Sequence, residues 1–231
     1  MEQHVEIKGI SSMATRLLLA ELVDGYRARS ECRVTIESIG GVEASNRIQA
    51  GEAFDLVILS SEAIDALIAS GFAIAGSKVD LVKSGVAAAV RADSPRPDIA
   101  TEESLKRALL AARSIGYSTG PSGLALARLF ERWGMAEELK GRIVLSAPGV
   151  PVGTLVASGA VELGFQQLSE LLPLEGITIL GPLPGSAAII TTFSGALTSV
   201  CGQPRTARAF LGFLASAEAA AAKRRQGMEP A

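Results

Sequence analysis

Small hydroxyl and glycine residues cluster at four places in the chain: Ser11-Ser12, Gly40-Gly41, Ser60-Ser61, and the run Ser118-Thr119-Gly120-Pro121-Ser122-Gly123. Each follows a short apolar segment and precedes apolar residues at helical spacing, so each reads as a turn from a strand into a helix. The first turn of a helix carries unpaired backbone N–H groups and the positive end of the helix dipole. A serine hydroxyl adds a neutral donor. Several such turns on one sheet edge make a site for an anion that needs no lysine or arginine. The plainer use of each serine is as an N-cap, worth about 1 kcal/mol to its helix. The single histidine, His4, adjoins the N-terminus, so neither a histidine base nor a multi-histidine metal site is expected. Cys32 and Cys201 lie in no metal-like or redox spacing and read as ordinary reduced residues. No metal and no organic cofactor is expected, and glycine-rich nucleotide fingerprints are absent.

The elements that must position these turns alternate along the chain. Val5-Glu6-Ile7 starts a strand, and Met13, Leu17, Leu18, Leu22 and Tyr26 recur at helical spacing. Val34 and Ile36 alternate before Gly40-Gly41 and a short helix from 42 to 50; Asp55 to Leu59 is a buried-type strand ahead of a helix from 62 to 69. Beyond these, strands are predicted at 85–90, 114–117, 142–145, 162–165, 177–180 and 187–193. Helices are predicted over 101–112, 124–133, 204–215 and 217–226. Strand–turn–helix units in succession specify an α/β fold with a mostly parallel sheet.

Composition removes several partners. The chain has 231 residues, 22 basic and 24 acidic side chains and a net charge of −2, with 4% aromatics, so nucleic acid is not an expected partner: there is neither the excess of positive charge nor the base-stacking platform it needs. No apolar run reaches the ~20 residues of a membrane helix, and no membrane insertion is expected. The opening Met-Glu-Gln-His-Val-Glu-Ile-Lys lacks the basic and apolar regions of an export signal. As the sequence stands, the expected location is cytoplasmic; it is periplasmic if a native signal peptide was removed.

The ordered set Gly9-Ile-Ser-Ser-Met13, Ile48-Gln-Ala-Gly51, Asp55-Leu-Val-Ile-Leu-Ser-Ser61, Gly120-Pro-Ser-Gly123, Val156-Ala-Ser-Gly159 and Gly164-Phe-Gln-Gln-Leu-Ser-Glu170 resembles the molybdate-binding proteins of ABC transporters, of the type II periplasmic-binding-protein superfamily. The similarity runs from about Val5 to Pro230. It implies two α/β lobes joined by two crossover strands, with a small anionic ligand in the cleft between them. Lobe 1 would hold residues 1–83 and 190–231, and lobe 2 residues 84–189. Position by position, it implies oxyanion contacts from Ser12, from Ser122 and from Val150 at the start of a helix. The neighbouring Ser11, Gly40, Gly41, Ser60, Ser61, Ser118 and Thr119 complete the lining. The family usually has a serine before the second helix, where this chain has Gly40-Gly41, and commonly a tyrosine donor where it has Gln167. A glutamine amide both donates and accepts, which suits a ligand with carboxyl or hydroxyl groups better than a bare oxyanion.

The resulting expectation is a substrate-binding protein for a molybdate-type oxyanion or small carboxylate, with an ABC transporter as partner only if a leader once preceded the chain. The alternative is a cofactor-free isomerase of a small unsaturated polycarboxylate, since aconitate isomerases resemble the same group. Its base would be a carboxylate or Tyr117, and the catalytic residue is left unassigned. The remaining features have plain readings. Glu170 reads as a solvated first-turn acid, Trp133 as core, Arg91, Arg96 and the 106–113 cations as solvating charge, and Lys223-Arg224-Arg225 as a helix-end cluster.

Overall fold

The computed structural model describes residues 5–147 and 149–231, so His4 lies outside the described residues. In chain order the elements are β1 (Glu6–Ser12), α1 (Arg16–Arg27), β2 (Arg33–Ile39), α2 (Gly41–Gln49), β3 (Leu56–Ser60), α3 (Ser61–Ala69) and β4 (Val79–Arg91). There follow α4 (Glu102–Ala111), β5 (Ile115–Ser118), α5 (Pro121–Arg132), α6 (Ala136–Leu139), β6 (Ile143–Ser146), α7 (Val152–Ala157), β7 (Leu163–Gln167) and α8 (Leu168–Leu171). The chain ends with β8 (Ile177–Pro182), β9 (Ile190–Leu197), α9 (Pro204–Ala215), α10 (Ala220–Arg225) and β10 (Met228–Pro230). The chain divides into two compact units: unit 1 runs to Lys83 and resumes at Thr191, and unit 2 is Ser84–Ile190.

In unit 1 the strand order is β2-β1-β3-β9, with β10 on β4. The pairs β1–β2 and β1–β3 are parallel, and β9 returns antiparallel to β3. Alternation along each strand sends its apolar residues to opposite faces. Ile7, Leu56 and Ile58 pack with α1, α9 and α10 residues such as Leu22, Phe210 and Ala222, while Ile10, Val57 and Leu59 pack with Ile48 of α2 and Ile64 of α3. The parallel register puts Ser12 beside Ile39 and Ser11 beside Ile58, so β1, β2 and β3 end on one edge, where the turns into helices begin.

Unit 2 is built the same way. β4 pairs antiparallel with both β7 and β8, while β5 is parallel to β6 and β7. Val86, Ala88, Ile115, Leu163 and Phe165 face α4 and α5, and Ala87 and Ala89 face Leu171 of α8. Helix α7 lies close on the sheet: a Cβ on Gly164 would sit 2.4 Å from a methyl of Val156, so only glycine admits the helix at that separation. The strand expected at 187–193 is observed at Ile190–Leu197, because Gly185–Ala187 forms a 3-10 turn held by Glu102, which accepts hydrogen bonds from the Ser186 amide and hydroxyl.

Candidate ligand site

In unit 1 the expected residues gather on the edge where β1, β2 and β3 end, but their hydroxyls are used differently. Ser11 is fully buried, and its Oγ lies 2.8 Å from Ser38 Oγ of β2, so it ties two strands together. Ser60 is the N-cap of α3 and its Oγ accepts from the Ala63 N–H at 3.4 Å, the plain capping role. Ser61 opens α3, and its carbonyl accepts from Lys78, which also pairs with Asp65. Ser12 differs: the residue is 8% exposed, and its Oγ is buried with no hydrogen-bond partner among the described residues. Its Cβ lies 3.8 Å from the position a Cβ on Gly41 would occupy, which puts Ser12 against the first turn of α2. Gly40 is the N-cap of that helix, and its carbonyl takes the Ala44 N–H. A buried hydroxyl without a partner, next to a helix N-terminus, is arranged for something that supplies an acceptor.

In unit 2 the corresponding edge carries Ser118, Thr119, Ser122 and Gln167. The register sets Ser118 beside Ser146 and Gly116 beside Gly164, so Gln167 ends β7 about level with the end of β5. Ser118 Oγ accepts from the Gly120 N–H at 3.4 Å, Thr119 is exposed, and Ser122 is half-buried in the first turn of α5. Gln167 is 3% exposed and precedes α8. Val150 is placed by a turn: its N–H donates to the Ala147 carbonyl and its own carbonyl accepts from Ser146 Oγ at 2.5 Å. That N–H is therefore engaged within the turn. Tyr117 packs edge-on against Phe130, and burial pushes its phenol up from the usual range.

The segments 10–15, 39–42, 59–61, 117–123, 149–153 and 164–168 contain no lysine or arginine, so the strand ends themselves offer neutral donors. A cavity of about 530 Å³ in unit 2, lined by Arg96, Ile99, Ile179 and Leu183 among others, shares no residue with these edges. Among the described residues no group of acids, cysteines and histidines is arranged to hold a metal ion. Among the described residues no helix is long and apolar enough to cross a membrane.

Two side chains, Glu170 and Gln166, take roles that the sequence did not indicate. Glu170, expected to be solvated, is half-buried: its Oε1 accepts from Gln166 Nε2 at 3.0 Å, and burial pushes its carboxyl above the usual range. Gln166 is itself buried, and its Oε1 accepts from the Gly153 N–H at 3.2 Å. The available signal was the run Gln166-Gln167 with Glu170 close behind it, following the apolar strand residues Leu163 and Phe165.

Residues 7–229 match the family model described as bacterial extracellular solute-binding protein. The chain belongs to that family. This solute-binding-family chain is 42% identical over 188 residues to an aconitate isomerase from Pseudomonas sp., covering 80% of this chain and 71% of that one. Among solved structures it is similar to the periplasmic molybdate-binding protein of Azotobacter vinelandii, with TM-score 0.79 and 21% identity, covering 96% of this chain and 98% of that one. It is also similar to the sulfate-binding protein of Mycobacterium tuberculosis, with TM-score 0.80 and 17% identity, covering 98% of this chain and 87% of that one. The fold is that of the type II periplasmic binding proteins.

Proposed function

We propose that the chain binds a small unsaturated polycarboxylate of the aconitate type and interconverts its isomers by moving a proton. The observation that carries this reading is the 42% identity to a protein named aconitate isomerase. This reverses the preference drawn from sequence alone. Neutral donors at the strand ends support it: the Ser12 hydroxyl and the first turn of α2 in unit 1, and Ser122 and the Gln167 amide in unit 2, suit carboxylate oxygens. Gln167, in place of a phenol, also accepts from a protonated carboxyl.

The reaction needs no net gain or loss of atoms. A base takes a proton from the methylene carbon next to one carboxylate. The electron pair left behind forms a new double bond to the central carbon, the old double bond opens, and its electron pair takes up a proton at the former vinyl carbon. Fixed N–H and O–H donors around the carboxylates stabilise the negative charge that develops as the C–H bond breaks. Incubation with cis- and trans-aconitate in deuterated water, followed by proton NMR, tests the reading. The expected result is interchange of the isomers with deuterium entering the methylene carbon formed from the former vinyl carbon; no interchange and no uptake above the buffer control overturns it.

Family membership favours a second reading, capture of a small anion without chemistry, with an ABC transporter as partner. Calorimetric titration with molybdate, tungstate, sulfate and a panel of di- and tricarboxylates separates the two. Tight binding of a tetrahedral oxyanion with no response to aconitate supports the second.

A further inference from the structure

One buried polar chain in unit 2 has no part in that reaction scheme. The Gly153 N–H, in the first turn of α7, donates to Gln166 Oε1 at 3.2 Å, and Gln166 Nε2 donates to Glu170 Oε1 at 3.0 Å. Both ends of the Gln166 amide are thereby used, which fixes its orientation in β7 immediately before Gln167. Among the described residues, β7, α7, β8 and the side of β4 that faces α8 place no countercharge beside Glu170. None of β7, α7 or β8 contains an ionisable residue, and on β4 the residues facing α8 are Ala87 and Ala89. The charged residues next along are Arg91, in register with Ile177 at the other end of β4 from the Val86–Gln167 pair, and Glu175 in the turn before β8.

We propose that Glu170 is a positioning residue for the ligand site: through Gln166 it holds the first turn of α7 and the end of β7 that carries Gln167. This rests on the reading of the strand ends as the ligand site. An uncharged carboxyl suits the place, because ionisation would leave a half-buried charge among apolar elements with one amide beside it. Burial accordingly raises the carboxyl above its ordinary range, with the Gln166 amide acting the other way. As pH rises and Glu170 ionises, water is drawn to it, the Gly153–Gln166–Glu170 link loosens, and ligand affinity falls.

The test compares wild type, Glu170→Gln, Glu170→Leu, Gln166→Leu and the Gln166→Leu/Glu170→Leu pair. It measures hydrogen exchange at the Gly153 amide and titrates trans-aconitate calorimetrically from mildly acidic to alkaline pH. Glu170→Leu and Gln166→Leu are each expected to speed Gly153 exchange and weaken binding about tenfold, the effect of one lost hydrogen bond. The double variant is no worse than either single, since both act through one link. Glu170→Gln, which keeps the acceptor oxygen without the charge, is expected to retain protection and affinity and to lose the alkaline decline. Unchanged exchange and affinity in Glu170→Leu, or Glu170→Gln behaving like Glu170→Leu, overturns the proposal. If wild type fails to bind trans-aconitate, the ligand reading fails, and Gly153 exchange decides alone: accelerated in Glu170→Leu it supports the link, unchanged it overturns it.

Discussion

A Cβ placed on Gly123 would lie 1.7 Å from the carbonyl oxygen of Ser118. The obstacle is backbone, so no rotamer relieves it, and the first turn of α5 can rest on the end of β5 only if position 123 has no side chain. Gly120, two residues from Ser118, is different: its φ is −75°, and a Cβ there would meet Ser118 Oγ at an ordinary 3.5 Å. Gly123→Ala is therefore expected to cost at least about 1–3 kcal/mol and to displace Ser122, whereas Gly120→Ala costs well under that. Urea denaturation followed by the fluorescence of Trp133, which belongs to the same unit, measures both.

Ser12 and Ser11 are adjacent and predict opposite outcomes. A buried hydroxyl without a partner costs a fold about 1–3 kcal/mol. Ser12→Ala removes that cost and is expected to stabilise the unliganded protein by roughly 1 kcal/mol while weakening the best-binding anion about tenfold. Ser11→Ala strands Ser38 Oγ instead, and is expected to destabilise by about 1 kcal/mol while leaving affinity within about twofold. Thermal unfolding and calorimetry on the two variants check the contrast; a stability loss for Ser12→Ala with unchanged affinity would show its hydroxyl to be structural.

The turns were legible because glycine and serine interrupt two kinds of periodicity, and the parallel strands that follow from strand–turn–helix repetition carry all those turns to one edge of each sheet. The individual roles of the serines were not legible. Nothing in Ser11-Ser12 says which hydroxyl meets a partner strand, and nothing in Ser60 separates a cap from a ligand contact. Glu170 was misread because α8 is a single turn, too short to show which of its sides is covered, and its neighbour Gln166 comes from the preceding strand. Lys223 lies with Arg224 and Arg225 in the last turn of α10, as the sequence indicates, but its burial was not legible: the alanines from 217 to 222 give no contrast between faces, so the apolar side of α10 is visible only once α1 and β10 pack against it.

Arg142 closes the end of α4. Its Nη1 donates to the carbonyls of Leu109, Leu110 and Ala112 at 3.2, 2.7 and 2.8 Å, satisfying groups that the helix leaves without intrahelical partners. A cation there also complements the negative end of the helix dipole. Arg142→Ala is expected to cost about 1.5–3 kcal/mol, the range for hydrogen bonds from a charged donor. Exchange of the amides in the last turn of α4 should quicken before global unfolding; protection equal to wild type would show that solvent replaces the guanidinium without loss.

Lys223 is 1% exposed in α10, where Arg224 and Arg225 pair with Glu229 and Glu21 but no ion pair to Lys223 is present among the described residues. Burial lowers its ammonium below the ordinary lysine range. Between that lowered value and the ordinary one, the unfolded chain binds the proton and the folded chain does not. Stability therefore rises with pH across that window, and below it the folded state carries the full cost of a buried cation. Methionine fills the same length of core without the charge. Lys223→Met is expected to raise the melting temperature at neutral pH and to flatten the rise in stability toward alkaline pH, while ligand binding, which uses the other end of the strands, stays as in wild type. Melting curves of the two proteins across neutral to alkaline pH decide it: a parallel pH dependence in both would mean that the ammonium reaches water in the folded state.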